Sequence, residues 1–112
     1  MNLSSQAVDD AIVIHVHEKR IDAAIAIQFK DRVRELTNDP SERVILDMSQ
    51  VEFVDSSGLG AIVSAMKFLA PDRRLELAGL TANVGKVFRL TRMDSVFPIH
   101  AKPPFQETGN AN

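Results

Sequence analysis

Two adjacent hydroxyls stand where a short apolar run gives way to an amphipathic stretch. Val51-Glu52-Phe53-Val54 is followed by Asp55-Ser56-Ser57-Gly58, and then by apolar residues at helical spacing. A serine at the mouth of a helix can do two kinds of work. Its oxygen can accept a hydrogen bond from a free N–H of the first turn and so cap the helix. It can also carry a phosphoryl group, because the positive end of the helix dipole tolerates an anion there. A phosphate adds about 1.5 to 2 negative charges near neutral pH, which changes the surface sharply while the fold tolerates it. This is the chemistry of a switch, with Ser56 as the candidate acceptor.

Each neighbour has a structural reading beside its functional one. Ser56 taken alone is an ordinary capping serine, and only its setting argues for more. Ser57 is either the cap or a second acceptor. Asp55 holds the loop through nearby N–H groups or presents Ser56 to a modifying enzyme. Gly58 permits close approach of that enzyme or a backbone angle that other residues resist. Asp22 reads as the N-cap of an earlier helix first and as a contact residue second.

Other chemistries find little support. The nucleophile pattern Gly-x-Ser-x-Gly is absent, since Val54 stands two places before Ser56. Neither phosphate-cradling glycine motif occurs, which argues against the chain being its own kinase. His15 and His17 lie two apart on a strand and face the same side, but no third ligand is placed with them or with His100, so no metal is expected. With no cysteine, disulfides and thiolate catalysis are excluded, and a cytosolic location fits. The formal net charge of -2 argues against a general nucleic-acid binder. No apolar run approaches a membrane span, and Met1 to Asp10 lacks the parts of a signal peptide.

The elements that must position the serines follow from periodicity. Ala11 to His17 reads as a strand rich in β-branched residues, and Ile21 as the start of a short partner strand. Behind Asp22, the residues Ile25, Phe29, Val33 and Leu36 form a one-sided helical stripe, which Asn38-Asp39-Pro40-Ser41 ends. Arg43 to Met48 is the most strand-like segment and is expected at the centre. The helix after Gly58 carries Leu59, Ile62, Val63, Met66 and Leu69 on one face. Pro71 to Arg74 is a charged turn before a strand, Leu75 to Ala78. Thr81 caps a third helix with Val84, Val87, Phe88 and Thr91 inward, and Val96 to His100 is a last strand. Lys102 to Asn112 is expected to be a loose tail. Such alternation predicts an α/β layer, a mixed but mostly parallel sheet of four to five strands packed with three main helices, in one domain over 1–112.

In this setting the chain resembles a STAS domain, the fold of bacterial anti-sigma-factor antagonists, over roughly residues 8–100. The strongest element is Val44-Ile-Leu-Asp-Met with Val51-Glu-Phe-Val-Asp-Ser-Ser-Gly-Leu-Gly60. Val87-Phe-Arg-Leu-Thr-Arg-Met-Asp-Ser-Val-Phe97 resembles the family's third helix and its exit, and Arg20-Ile-Asp22 its short step into the first helix. The resemblance implies a partner-switching regulator of transcription without catalytic activity or cofactor. Ser56 matches the position phosphorylated by an anti-sigma-type serine kinase, with Asp22, Asp55, Ser57 and Gly58 around it. The unphosphorylated form binds that kinase, the phosphorylated form is released, and a serine phosphatase resets it. The family inclines to a cytoplasmic monomer. An alternative within the same fold is a constitutive STAS subunit of a membrane lipid-transport complex.

Two departures stand out. Glu18, Lys19 and Arg20 fill a stretch where members often carry glycine. The family's frequent Thr-Gly-Leu appears as Thr91-Arg92-Met93, which suggests a different ending for the third helix. Ile27 and Phe68 fall off their helices' apolar stripes, as isolated exposed residues or as partner anchors. Lys86, Arg89 and Arg92 follow one face, read as solvated.

Overall fold

The computed structural model describes residues 1–104. The chain runs β1 (Leu3–Val8), β2 (Ala11–Val16), β3 (Arg20–Ile21), α1 (Ala26–Leu36), β4 (Arg43–Asp47), β5 (Phe53–Val54), α2 (Ser56–Leu69), β6 (Arg74–Ala78), α3 (Ala82–Leu90), a 3-10 turn at Met93–Ser95, and β7 (Ile99–His100). Five strands form one sheet in the order β1-β2-β4-β6-β7, while β3 and β5 make a separate two-stranded ribbon. Only β1 runs antiparallel to its neighbour; β2, β4, β6 and β7 are mutually parallel. The architecture is the mixed, mostly parallel α/β layer that the alternation of elements predicts, and β4 is its central strand.

Alternation along each strand sorts side chains between the two faces. Ile12, Ile14, Val16, Val44, Leu46, Met48, Leu75 and Leu77 point to the face that receives the helices. There they meet Phe29 and Val33 of α1, Ala61, Ile62, Ala65 and Leu69 of α2, and Val84 and Phe88 of α3. Along α2 the deepest stripe is Gly58, Ala61, Ile62, Ala65 and Leu69. Leu59, Val63 and Met66, expected on that stripe, are half-buried at its margin. Small residues at 58, 61 and 65 let the helix lie close to the strands, so shape and hydrophobicity together set its rotation.

On the opposite face, Ala11, Val13, Ile45 and Ala78 form a smaller cluster. Glu76 sits directly across from Ile45 in the sheet register. Its side chain is only 2 % exposed, yet four hydrogen bonds hold it. Arg43 grips it at two points, Nε to Oε2 and Nη2 to Oε1, both at 2.8 Å. Arg74 Nε donates to Oε2 at 3.2 Å, and His100 Nε2 lies 2.6 Å from Oε1. The Arg43 fork, with His100, holds the Glu76 carboxyl down at about 2 despite burial, well below its ordinary 4.5. The same pairing raises the Arg43 guanidinium further above its already high value.

Three features differ from the sequence reading. β1 occupies part of the N-terminus read as merely polar; it buries only Leu3 and joins the sheet through backbone pairing, so its side chains carry little periodic signal. The expected strand from Val96 shortens to Ile99–His100, because a 3-10 turn and Pro98 intervene. The ending of α3 is the third. Arg92 adopts the left-handed conformation, φ 61° and ψ 19°, right after the helix, so it takes the backbone shape that a glycine adopts freely rather than a different ending. Most of the expected tail, residues 105–112, lies outside the described residues.

Candidate functional site

The site is built where the small ribbon meets the start of α2. β3 and β5 pair in parallel, Arg20 with Phe53 and Ile21 with Val54. The Arg20 guanidinium lies over the Phe53 ring, 4.4 Å from its centre. One residue beyond β5, Asp55 donates its N–H to the Ile21 carbonyl at 3.3 Å and so extends the ribbon. Its backbone is extended, φ -95° and ψ -175°, which is the geometry of a helix N-cap.

Both oxygens of Asp55 are in use. Oδ1 accepts from the Gly58 N–H at 2.8 Å, capping α2. Oδ2 accepts from the Ala23 N–H at 3.2 Å, in the loop between β3 and α1. Asp55 therefore ties the start of α2 to a turn 32 positions before itself in sequence, which carries the structural half of its expected role. The expectation that Ser57 caps the helix is corrected. α2 begins at Ser56, two residues before Gly58, and the cap is Asp55, whose charged oxygen outcompetes a neutral hydroxyl for the N–H.

Gly58 is buried, and its function is also corrected. A Cβ there would stand 1.9 Å from the Ile21 carbonyl oxygen. The close approach that glycine allows is internal, between the first turn of α2 and β3, and not to an incoming enzyme. Asp22 likewise is not the cap of α1, which starts at Ala26 behind an uncapped Ile25. Its Oδ1 accepts from the Ala24 N–H at 3.1 Å, its Oδ2 from Arg20 Nε at 3.2 Å, and its carbonyl from the Ile25 N–H at 3.1 Å. Asp22 thus folds the turn that Asp55 clasps at Ala23.

On this frame Ser56 and Ser57 are both exposed, as the first two residues of α2. Geometry leaves the N–H groups of a first helical turn without intrahelical partners. Ser56, Ser57, Asp55 and Asp22 therefore share one corner: two free hydroxyls beside two engaged carboxylates. Sequence reasoning grouped these residues without assigning site roles to Ile21, Ala23 and Arg20, whose backbone or side chains complete the clasp. The 1.9 Å clearance at Gly58 leaves no sequence signal beyond the glycine itself.

A model of the STAS domain matches residues 2–106, nearly the whole chain. The chain belongs to the STAS domain family. Solved structures agree at the level of fold. A STAS domain protein from Planctomyces limnophilus superposes with a TM-score of 0.83 at 18 % identity, covering 98 % of this chain and 98 % of that one. An anti-sigma factor antagonist from Mycobacterium paratuberculosis gives 0.81 at 20 % identity, covering 99 % and 94 %. A sulfate transporter family protein from Wolinella succinogenes gives 0.71 at 12 % identity, covering 83 % and 78 %. The STAS fold thus serves both kinds of protein.

The histidines of this STAS domain sit elsewhere, toward β1 and the opposite sheet face. His15 and His17 do share a side, with ring centres 6.1 Å apart. His15 Nδ1 lies 2.8 Å from Asp47 Oδ2, a carboxylate that sequence reading did not place there. No group of three His, Cys, Asp or Glu able to hold a metal occurs among the described residues. Among those residues, too, no helix is long and apolar enough to cross a membrane.

Proposed function

We propose that this STAS domain is a phosphorylation-controlled partner-switching regulator, an anti-sigma-factor antagonist whose acceptor is Ser56. In this reading the Ser56 Oγ loses its proton to a base of an anti-sigma-type serine kinase. It takes the γ-phosphoryl group of the kinase's ATP and leaves ADP. The domain itself supplies no catalysis. A serine phosphatase returns the hydroxyl.

The exposed hydroxyl of Ser56, on the first residue of α2 behind a two-way Asp55 clasp, is the observation that carries this reading. The clasp places two carboxylates near the corner, Asp55 on the Gly58 and Ala23 N–H groups and Asp22 paired with Arg20. Phosphate adds about 1.5 to 2 charges more. Like charges brought together in an interface cost several kcal/mol, and each ~1.4 kcal/mol is tenfold in affinity. Repulsion at the surface suffices to empty the complex, and the helix dipole lets the fold stay as it is.

The test is a pull-down from the native host with Ser56→Ala and Ser56→Asp as baits. The alanine form is expected to retain a serine kinase that the aspartate form loses. Equal retention by both forms would overturn the repulsion mechanism.

A second reading is favoured by the fold likeness to a sulfate transporter family protein. Here the domain is a constitutive accessory subunit of a membrane transport complex, of the lipid-transport kind, using the same corner without phosphorylation. Co-purification of the wild-type domain with membrane proteins, and no phosphorylated form, would select it.

A further inference from the structure

Beyond the Ser56 corner, the outward sides of α1 and α2 form a groove with a composition of its own. The stripe Phe29–Val33 turns α1 toward the core, which leaves Ile27, Lys30 and Arg34 on a second stripe at helical spacing. On α2, Ser64, Lys67 and Phe68 repeat that spacing, and the two stripes line one groove together with Asp31. Ile27 is 70 % exposed. Phe68 is half-buried, packed on the core from beneath and covered by the Arg34 guanidinium, 4.3 Å from its ring centre.

A single exposed isoleucine means nothing by itself. Here it shares a concave strip with an aromatic ring and an arginine, the residue types that anchor interfaces. Three cations face the groove against one carboxylate, in a chain whose net charge is -2. The local sign is therefore opposite to that of the whole molecule.

We infer that this groove docks an acidic amphipathic helix of a partner protein. Its apolar side chains lie on Ile27, and its carboxylates face Lys30, Lys67 and the Arg34 guanidinium that covers Phe68. A concave strip containing Asp31 suits a helix better than a flat anionic membrane. Ser64 lies about 12 Å along α2 from Ser56 at 1.5 Å per residue, beyond the Debye length of about 8 Å at physiological salt. Docking in the groove is thus only weakly coupled to a charge on Ser56. It holds a partner whether or not the switch has been thrown, and it stands even if Ser56 is never modified.

The full chain, labelled with 15N, tests this when titrated with two synthetic helical peptides that differ only in carrying glutamate or lysine beside a leucine stripe. The acidic peptide is expected to move the amides of Ile27, Arg34, Ser64, Lys67 and Phe68. Ile27→Ser and Lys67→Glu, both at exposed positions, each weaken it at least fivefold. Ser56→Asp leaves its affinity within twofold. The inference is overturned if the lysine peptide binds equally, if no saturable shift appears, or if the shifts gather on Lys86 and Arg89. It is overturned in favour of a membrane role if phosphatidylserine vesicles bind the domain in an Ile27-dependent way and the acidic peptide does not. Loss of peptide binding in Ser56→Asp would contradict the weak coupling of the two sites.

Discussion

A methyl group on Gly58 would collide with the carbonyl oxygen of Ile21, 1.9 Å from where its carbon must lie. The obstacle is backbone, already engaged by the Asp55 N–H, so it cannot swing aside as a side chain would. Gly58→Ala is expected to destabilise the domain by about 2–3 kcal/mol, the scale of forced overpacking. It should also loosen the β3–α1 turn. Urea unfolding gives the first quantity. Hydrogen exchange at Ala23 and Ala24 gives the second, and unchanged protection there would mean that the turn does not depend on this contact.

Asp55 ties α2 to the same turn through its second oxygen. Loss of an N-cap alone costs about 1 kcal/mol, with an upper range near 2. Asp55→Ala removes the bond to Ala23 as well, so the expected loss is at the top of that range. Asp55→Asn keeps one carbonyl acceptor for the Gly58 N–H and should recover about half. If Asp55→Asn unfolds at the same urea concentration as the wild type, the charge and second oxygen of Asp55 carry nothing.

Arg92 takes a left-handed backbone without being glycine. That conformation costs an L-residue about 1–2 kcal/mol, offset in part by the greater freedom glycine has when unfolded. Arg92→Gly is therefore expected to raise stability by up to about 1 kcal/mol, visible as a higher melting temperature. A fall in melting temperature would show that the Arg92 side chain contributes more than its backbone costs.

Glu76 makes stability depend on acid. Its folded value of about 2 lies below the ordinary 4.5, so the folded state favours the ionised form. That contribution is complete above about pH 4.5 and disappears as pH falls toward 2; one pKa unit is about 1.4 kcal/mol. Between pH 5 and pH 2 the wild type should lose on the order of 2–3 kcal/mol more than Glu76→Gln, measured by urea unfolding at each pH. Parallel losses in the two proteins would remove Glu76 from the account of acid sensitivity.

The legibility of this molecule follows from where side-chain pattern and backbone pairing carry the information. Phe29, Val33, Ile45 and Leu46 announce their elements because burial and periodicity coincide. Thr81 was read correctly as the cap of α3, where its Oγ1 accepts from Val84 and donates to the Val51 carbonyl. β1 was missed because its residues after Leu3 are exposed or half-buried and pair with β2 through the backbone, so they leave no apolar alternation. Asp22 was read as a helix cap that it is not, because several acceptors compete for the same free N–H groups and only three-dimensional reach decides among them. Glu76 gave no warning, since its partners Arg43 and His100 come from other strands. At the candidate site the sequence pointed to Ser56 and its neighbours, and the close approach of Gly58 to the Ile21 carbonyl became visible only in three dimensions.

The central claim is that the Ser56 hydroxyl carries phosphate in the living cell. Fragmentation mass spectrometry of the intact domain from its native host tests it directly, on wild type and on Ser56→Ala. The account predicts a population bearing one phosphoryl group localised to Ser56, absent from the alanine variant although Ser57 remains. A wild-type protein found unmodified under every growth condition, or modified at Ser57 in both forms, would contradict it.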